Sequence, residues 1–265
     1  MKITTAQQQE IPFRHYSYPD SQQQIIIDHQ LIGIDTVFIT ISITSFQSIE
    51  KLFCAAKSLK GRNRNIEIHL YCPYFLGARS DRNFEAGDNH YLRDIICPII
   101  NDLNLASITL LDPHSYVLPG ILNNCTIDTF KQRLFYNWVK KQIDSDEEII
   151  AIAPDAGAVK RAELFGVSQI LYCAKTRVGE TVSVIVPPVP NNATLVIVDD
   201  ICDGGRTFIE IAKNISDTHT GKKILVVTHG IFSQGVSMLH KHFNEIYSTD
   251  SFNTNTEIKQ YGLFS

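Results

Sequence analysis

The stretch Ala193-Thr194-Leu195-Val196-Ile197-Val198 is a continuous, largely β-branched run that stops at two carboxylates, Asp199 and Asp200, and continues as Ile201-Cys202-Asp203-Gly204-Gly205-Arg206-Thr207. A run without alternation predicts a strand buried on both faces, as in a parallel sheet sheathed by helices. In open sheets of that kind ligands bind beyond the carboxyl ends of the strands. The acid pair then stands where a ligand would sit. Two adjacent acids can hold a ribose diol, Gly204 and Gly205 allow a tight turn that exposes backbone N–H groups, and a helix from about Thr207 offers its positive end to a phosphate. Asp199, Asp200, Asp203, Gly204, Gly205, Arg206 and Thr207 are thus candidate residues for a sugar phosphate. The plainer reading is a strand, an acidic turn and an ordinary N-cap; it would lead for a lone Gly-Gly, but the acid pair, glycine turn and strand-to-helix context together favour the site.

The rest of the chain repeats the strand-helix alternation. Strands are expected over Asp35–Ser42, Asn65–Tyr71 and Ser107–Leu111, with helices over Ser45–Lys60 and Asn89–Leu103. After a polar stretch, Asn123–Asp128, a helix through Trp138 leads to strands Glu148–Ala153, Gln169–Ala174, Leu195–Val198 and Ile224–Val227, with a helix over Gly157–Phe165. This predicts an α/β protein of two lobes, residues 1–126 and 127–265, each a mainly parallel sheet flanked by helices with right-handed crossovers. A chain of 265 residues with 44% apolar content has the material for cores of that size. A polar tail, Ser251–Ser265, follows.

Charge and cysteine usage exclude several classes. A net charge of −4 gives no basic footprint for nucleic acid or an anionic membrane. No apolar run approaches the roughly 18 residues of a membrane span and no basic-then-apolar leader is evident, so a soluble, cytoplasmic protein is expected. The cysteines, Cys54, Cys72, Cys97, Cys125, Cys173 and Cys202, are scattered without a C-x-x-C pair and read as small buried hydrophobes. Cys202 is set apart because its loop would face substrate.

The run Val198–Thr207 resembles the phosphoribosyl-diphosphate (PRPP) loop shared by type I phosphoribosyltransferases and ribose-phosphate pyrophosphokinases. Three further segments resemble the pyrophosphokinases. Pro73-Tyr74-Phe75-Leu76-Gly77-Ala78-Arg79-Ser80-Asp81-Arg82 is similar to the signature of their ATP-binding region, Leu111-Asp112-Pro113-His114 to their aspartate-leucine-histidine turn, and Ala153-Pro154-Asp155-Ala156-Gly157-Ala158-Val159-Lys160-Arg161-Ala162 to their Ser-Pro-Asp segment. Thr228-His229-Gly230-Ile231-Phe232-Ser233 echoes another. The resemblance runs from about Tyr18 to about Asp250 and implies two similarly folded lobes with an active site between them.

What it implies chemically is transfer of the β,γ-diphosphoryl group of ATP to the anomeric hydroxyl of a ribose 5-phosphate unit, releasing AMP. Since the nucleophile is the substrate's, the protein supplies alignment and charge neutralisation. By resemblance, Lys175 and Arg177 are the catalytic cations, with Thr176 replacing an arginine between them, and two fixed cations on the moving diphosphoryl group would lower its barrier. His114 and Asp155 are the expected Mg²⁺ ligands, His114 also touching ATP phosphates. Tyr18, Asp20, Gln22, Arg79, Ser80 and Asp81 are the expected ATP-binding residues, in the family usually across a subunit boundary, which implies a homo-oligomer. Asp81 and Arg82 could instead pair with each other.

Departures from the pattern open alternatives. Gln22 replaces a glutamate and Ser80 a glutamine, which bears on purine recognition. Arg206 replaces a small residue in the phosphate loop, and a permanent cation there suits a second phosphate. The expected acceptor is ribose 5-phosphate, giving PRPP. ADP-ribose is the alternative, giving an ADP-ribose pyrophosphate useful for rebuilding NAD. A type I phosphoribosyltransferase and a non-catalytic regulatory partner remain further readings, the former leaving Pro73–Arg82 and His114 unexplained and the latter arguing poorly with retention of Lys175, Arg177, Asp199 and Asp200. The family's longer chains complete the first lobe with a region not matched here, which argues against allosteric control by ADP or phosphate.

Overall fold

The computed structural model describes residues 1–28, 30–178, 181–215 and 219–264, with side chains 175–183 outside the described set. The chain divides into two compact units, Met1–Asp128 and Thr129–Leu263.

The first unit opens with β1 (Lys2–Thr5), a hairpin of β2 (Phe13–Ser17) and β3 (Gln23–Ile27), then β4 (Thr36–Thr40), α1 (Phe46–Arg62) and β5 (Glu67–Cys72). After the loop from Pro73 come α2 (Cys97–Asn101), β6 (Ser107–Leu110), α3 (Val117–Ile121) and β7 (Cys125–Ile127). The sheet order is β1-β4-β5-β6-β7, parallel throughout except for β1, which runs antiparallel to β4. The β2–β3 hairpin forms its own two-stranded sheet and lies along α1, where Ser58 Oγ donates to the Ile25 carbonyl at 2.8 Å and Arg62 Nη2 to that of Ile27 at 3.1 Å. Helix α1 begins where Ser45 caps the Ser48 N–H and buries Ile49, Leu52, Ala55, Ala56 and Leu59, the i, i+3, i+7, i+10 stripe of an amphipathic helix.

The expected helix over Asn89–Leu103 is broken. Leu92–Ile96 forms a wide π-type turn in which the Cys97 N–H reaches back five residues to the Leu92 carbonyl, and only then does α2 begin, with Pro98 in its first turn. Proline has no N–H to give the carbonyl four residues before it, so the regular helix cannot pass unbroken.

The second unit runs α4 (Thr129–Gln142), β8 (Ile149–Ala153), α5 (Val159–Phe165), β9 (Gln169–Tyr172), β10 (Ala174–Val178), β11 (Thr181–Ile185), β12 (Thr194–Cys202), α6 (Arg206–Asn214), β13 (Lys223–Gly230), α7 (Ser237–His240), β14 (Glu245–Thr249) and β15 (Lys259–Tyr261). Its main sheet has the order β15-β14-β13-β12-β8-β9 and is parallel throughout. Alternate residues of the central strands feed two cores. Ile150, Ile152, Leu195, Ile197, Leu225 and Val227 pack with α6, while Ala151, Ala153, Val196, Val198, Ile224 and Val226 pack with α4 and α5. That two-sided burial is why these strands read as unbroken apolar runs.

Three boundaries differ from the sequence expectation. Strand β12 does not stop at Val198 but continues through both aspartates to Cys202, because β13 runs beside it and pairs Ile201 with His229 and Cys202 with Gly230. The expected strand Gln169–Ala174 splits at Cys173, and Ala174 starts β10, which pairs antiparallel with β11. The supposed polar tail contributes β15, whose Lys259 reaches Glu245 at 2.7 Å and Tyr247 Oη at 3.1 Å. Among the described residues no helix is long and apolar enough to cross a membrane.

Candidate sugar-phosphate site

In the second unit the connection from β8 goes outward to β9 on one side, and β12 onward occupies the other. The carboxyl ends of β8 and β12 therefore flank the point where strand order reverses, the usual crevice for a ligand in an open parallel sheet. From β8 emerges Asp155; from β12, the acid pair and the glycine turn.

Asp200 is buried at 3% exposure. It shares the register of Val196 and Val198 and so falls toward α5, where Arg161, itself 8% exposed, brings Nη2 to 3.8 Å from Asp200 Oδ2. Arg161 Nη1 donates to the Gly157 carbonyl at 2.9 Å. Asp155 caps that same turn: its Oδ1 accepts from the Gly157 N–H at 2.9 Å and the Ala158 N–H at 3.3 Å. Asp199 Oδ1 accepts the Asp200 N–H at 2.9 Å. Enclosure of the Asp199 carboxyl, followed by the neighbouring charge of Asp200, pushes its pKa well above the ordinary carboxylate range, with Arg161 opposing. The shift has the direction expected when a carboxyl is enclosed beside a second acid, because two like charges that close raise the cost of ionising.

The turn after β12 is fixed by backbone geometry. Gly205 sits in the left-handed region at φ +78 and precedes α6 with no side-chain cap, so the first amides of α6 point outward. A Cβ on Gly205 would come within 2.9 Å of Leu239 Cδ2. The N–H groups of Ile231 and Phe232 both donate to the Cys202 carbonyl, at 2.9 and 3.1 Å, tying the end of β12 to the loop after β13. Phe232 itself holds a left-handed φ of +48, an unusual conformation for a bulky residue. Asp203 and Thr207 are half-buried, and Gly204 and Arg206 are exposed. The expected residues Asp199, Asp200, Asp203, Gly204, Gly205, Arg206 and Thr207 thus fall on one strand end, turn and helix start. This arrangement can accept hydroxyl protons on one side and offer amides and a cation to an anion on the other.

Cys202 does not face outward. It is fully buried, and burial, with the charges of Asp199 and Asp203 behind it, pushes its thiol up to about 12. That makes it an inert packing residue. The sequence reading assigns Arg161 no role of its own; its signal is an arginine on the buried stripe of α5 beside Ala162 and Phe165. Lys175 and Arg177 occupy alternate positions of β10, and their side chains lie outside the described residues.

The nucleotide candidates of the first unit are built differently. Tyr18, Asp20 and Gln22 form the exposed tip of the β2–β3 hairpin, where the Tyr18 N–H donates to the Gln22 carbonyl and the Gln22 N–H to Asp20 Oδ1 at 3.2 Å. Tyr18 Oη donates to Gln24 Oε1 at 2.6 Å. Arg79 is exposed and Ser80 and Asp81 half-buried on the loop after β5, whose Gly77 turns at φ +74 with a virtual Cβ 2.5 Å from the Tyr91 ring. Arg82 lies over the Phe84 ring at 5.7 Å. His114 is exposed after the turn of Asp112, a buried residue at φ +40. Among the described residues no three His, Cys, Asp or Glu side chains gather as a ready-made metal cage.

No family model matches the chain. A ribose-phosphate pyrophosphokinase of Mycoplasma pneumoniae is 27% identical over 242 residues, covering 87% of this chain and 72% of the relative. Others so named, from Thermosipho africanus and Methanopyrus kandleri, are 24% and 23% identical over 88% and 91% of this chain, and 76% and 84% of their own lengths. A crystal structure of phosphoribosylpyrophosphate synthetase from Mycobacterium smegmatis superposes with a TM-score of 0.75 at 18% identity, over 96% of this chain and 86% of that one. The fold is the same.

Proposed function

We propose, on the premise that this chain is related over most of its length to the ribose-phosphate pyrophosphokinases, that it transfers the β,γ-diphosphoryl group of ATP to the anomeric hydroxyl of a ribose 5-phosphate unit, releasing AMP. The observation that carries this reading is the end of β12. An acid pair near the end of the strand stands against a glycine turn whose helix start is uncapped, so a diol and a phosphate held by one sugar find partners a few residues apart.

In this reading Asp199 and Asp200 hold the ribose hydroxyls, and the amides from Gly204 to Thr207 receive the 5-phosphate. The acceptor hydroxyl is then fixed toward the diphosphate, which replaces an encounter in solution with an aligned pair. Lys175 and Arg177, on the β10–β11 hairpin, meet the charge that develops as the bond to the α-phosphate breaks. Asp155 fits Mg²⁺: its Oδ1 is committed to two amides, leaving Oδ2, and Mg²⁺ takes few protein ligands when phosphates supply the rest. An ion held there would neutralise phosphate charge, and His114 is the other donor that the family resemblance implies. Tyr18, Asp20, Gln22, Arg79, Ser80 and Asp81 take the adenosine side of ATP, and copies associate through the first unit in a cytoplasmic homo-oligomer.

A second reading concerns the acceptor. Arg206 is exposed at the start of α6, where a small residue would leave the turn neutral. It favours an acceptor whose 5-phosphate carries a further phosphate, such as ADP-ribose, with the diphosphorylated product feeding NAD resynthesis. Incubating the protein with ATP, Mg²⁺ and either ribose 5-phosphate or ADP-ribose, with product masses read out, separates the two. AMP that forms only when an acceptor is present supports the transfer; consumption of PRPP and a base with release of pyrophosphate would replace it with a phosphoribosyltransferase.

A further inference from the structure

We propose that Arg161 is the positioning residue of this site, locking the Asp155 turn and the sugar-binding Asp200 into one rigid piece and fixing the Asp200 carboxyl for the ribose diol. The inference deepens the sugar-phosphate reading and rests on it. Three observations support it. Arg161 is among the few buried charged residues of the chain, and burying an arginine is costly unless its charge is met. It spends its fork on two elements: Nη1 on the Gly157 carbonyl at 2.9 Å, and Nη2 toward Asp200 Oδ2 at 3.8 Å. Asp155 closes the same turn from the other side through the Gly157 and Ala158 amides.

The consequence is geometric. Asp155 leaves the end of β8 and Asp200 lies in β12, and β8 and β12 pair only from Thr194 to Ile197. The ladder between the two strands ends at Ile197 and Ile152, and the guanidinium links what lies beyond it. A planar fork can serve both partners at once, whereas a lysine ammonium, as a point charge, serves the charge but not the span. Arg161 touches no reacting atom in this scheme. It acts through Asp200, whose carboxyl oxygen accepts a sugar hydroxyl in this scheme, and through the turn that presents Asp155.

The test is a set of steady-state constants on the full-length protein for Arg161→Gln and Arg161→Lys, with ribose 5-phosphate and ATP varied separately and melting temperatures recorded. Loss of one charge-assisted contact should raise KM for ribose 5-phosphate about tenfold or more in Arg161→Gln, with KM for ATP moving less than about twofold. Arg161→Lys should recover part of that sugar KM, because the cation returns without the fork. A residue that merely packs α5 would lower the melting temperature and the active fraction while leaving both KM values alone, and that outcome overturns the proposal. An unchanged sugar KM in Arg161→Lys and Arg161→Gln overturns it as well. If Arg161→Gln does not fold, the lysine variant decides alone by the same criterion. If the wild-type protein makes no AMP, the activity reading fails separately, and calorimetric binding of ribose 5-phosphate to wild type and variants then decides the role of Arg161: a loss in the variants of about tenfold sustains it, equal affinity ends it.

Discussion

The two units carry their functional candidates in contrasting ways. In the second, Asp199 and Asp200 are part of a nine-residue strand that β13 still flanks at that point, and Asp200 is buried against an arginine. In the first, Tyr18, Asp20, Gln22, Arg79 and His114 stand exposed on a hairpin tip and two loops. Groups set in a sheet are held before the ligand arrives, whereas exposed loop groups can be exchanged with little cost to the fold. The departure at Gln22 falls in the exposed set, and Ser80 lies half-buried on the same loop as Arg79.

The largest effect that would sharpen the comparison lies on the β10–β11 hairpin. Lys175→Ala should lower kcat by about a hundredfold or more without shifting the melting temperature, as expected for a charge needed only in the transition state. Equal kcat in the variant would remove Lys175 from the mechanism. Next come the two left-handed glycines that shape each unit's loop. Gly77→Ala drives a Cβ to 2.5 Å from the Tyr91 ring, while Gly205→Ala meets the movable tip of Leu239 at 2.9 Å. Both variants bear the left-handed strain of about 1–3 kcal/mol, and Gly77→Ala should be the less stable because a ring yields less than a leucine methyl. Urea melts that rank them the other way would break the argument.

Smaller still, Arg79→Ala should raise KM for ATP by about tenfold and leave that for the sugar phosphate in place. A matched rise in both would mean that the exposed loop is not separable from the sheet-borne site. The slightest effect is in pH dependence. Asp199 has its folded pKa raised above its ordinary 3.8, so its contribution to stability is full below that value and is lost as pH rises through the folded pKa. The stability difference between wild type and Asp199→Asn should therefore move in favour of the variant from about pH 4 upward, as read from thermal melts of the ligand-free protein.

The sequence revealed the strand-helix alternation because doubly covered parallel strands leave long apolar runs, and it revealed the acid pair because carboxylates end such a run abruptly. The same abruptness misplaced the end of β12. Hydrophobic pattern registers Asp199 and Asp200 as a stop, while the backbone continues because its partner strand is still there. Short polar elements were invisible for a related reason: β15 is Lys259-Gln260-Tyr261, held by an edge pairing and by the Glu245, Tyr247 and Lys259 cluster rather than by apolar content. The break before α2 was readable in Pro98, since a proline in a helical pattern marks a boundary. Arg161 was not, because its importance comes from spanning two strand ends that local pattern cannot bring together.

Because the two acids are links in the sheet itself, any slippage that opened β12 from its neighbours would dismantle the sugar anchor at the same moment. Occupancy by a ribose phosphate should then hold the centre of the second unit shut, and the amides of Val196 to Ile201 would exchange with deuterated water more slowly in its presence, turning a pair of candidate sugar-binding residues into a gauge of how tightly the lobe is closed.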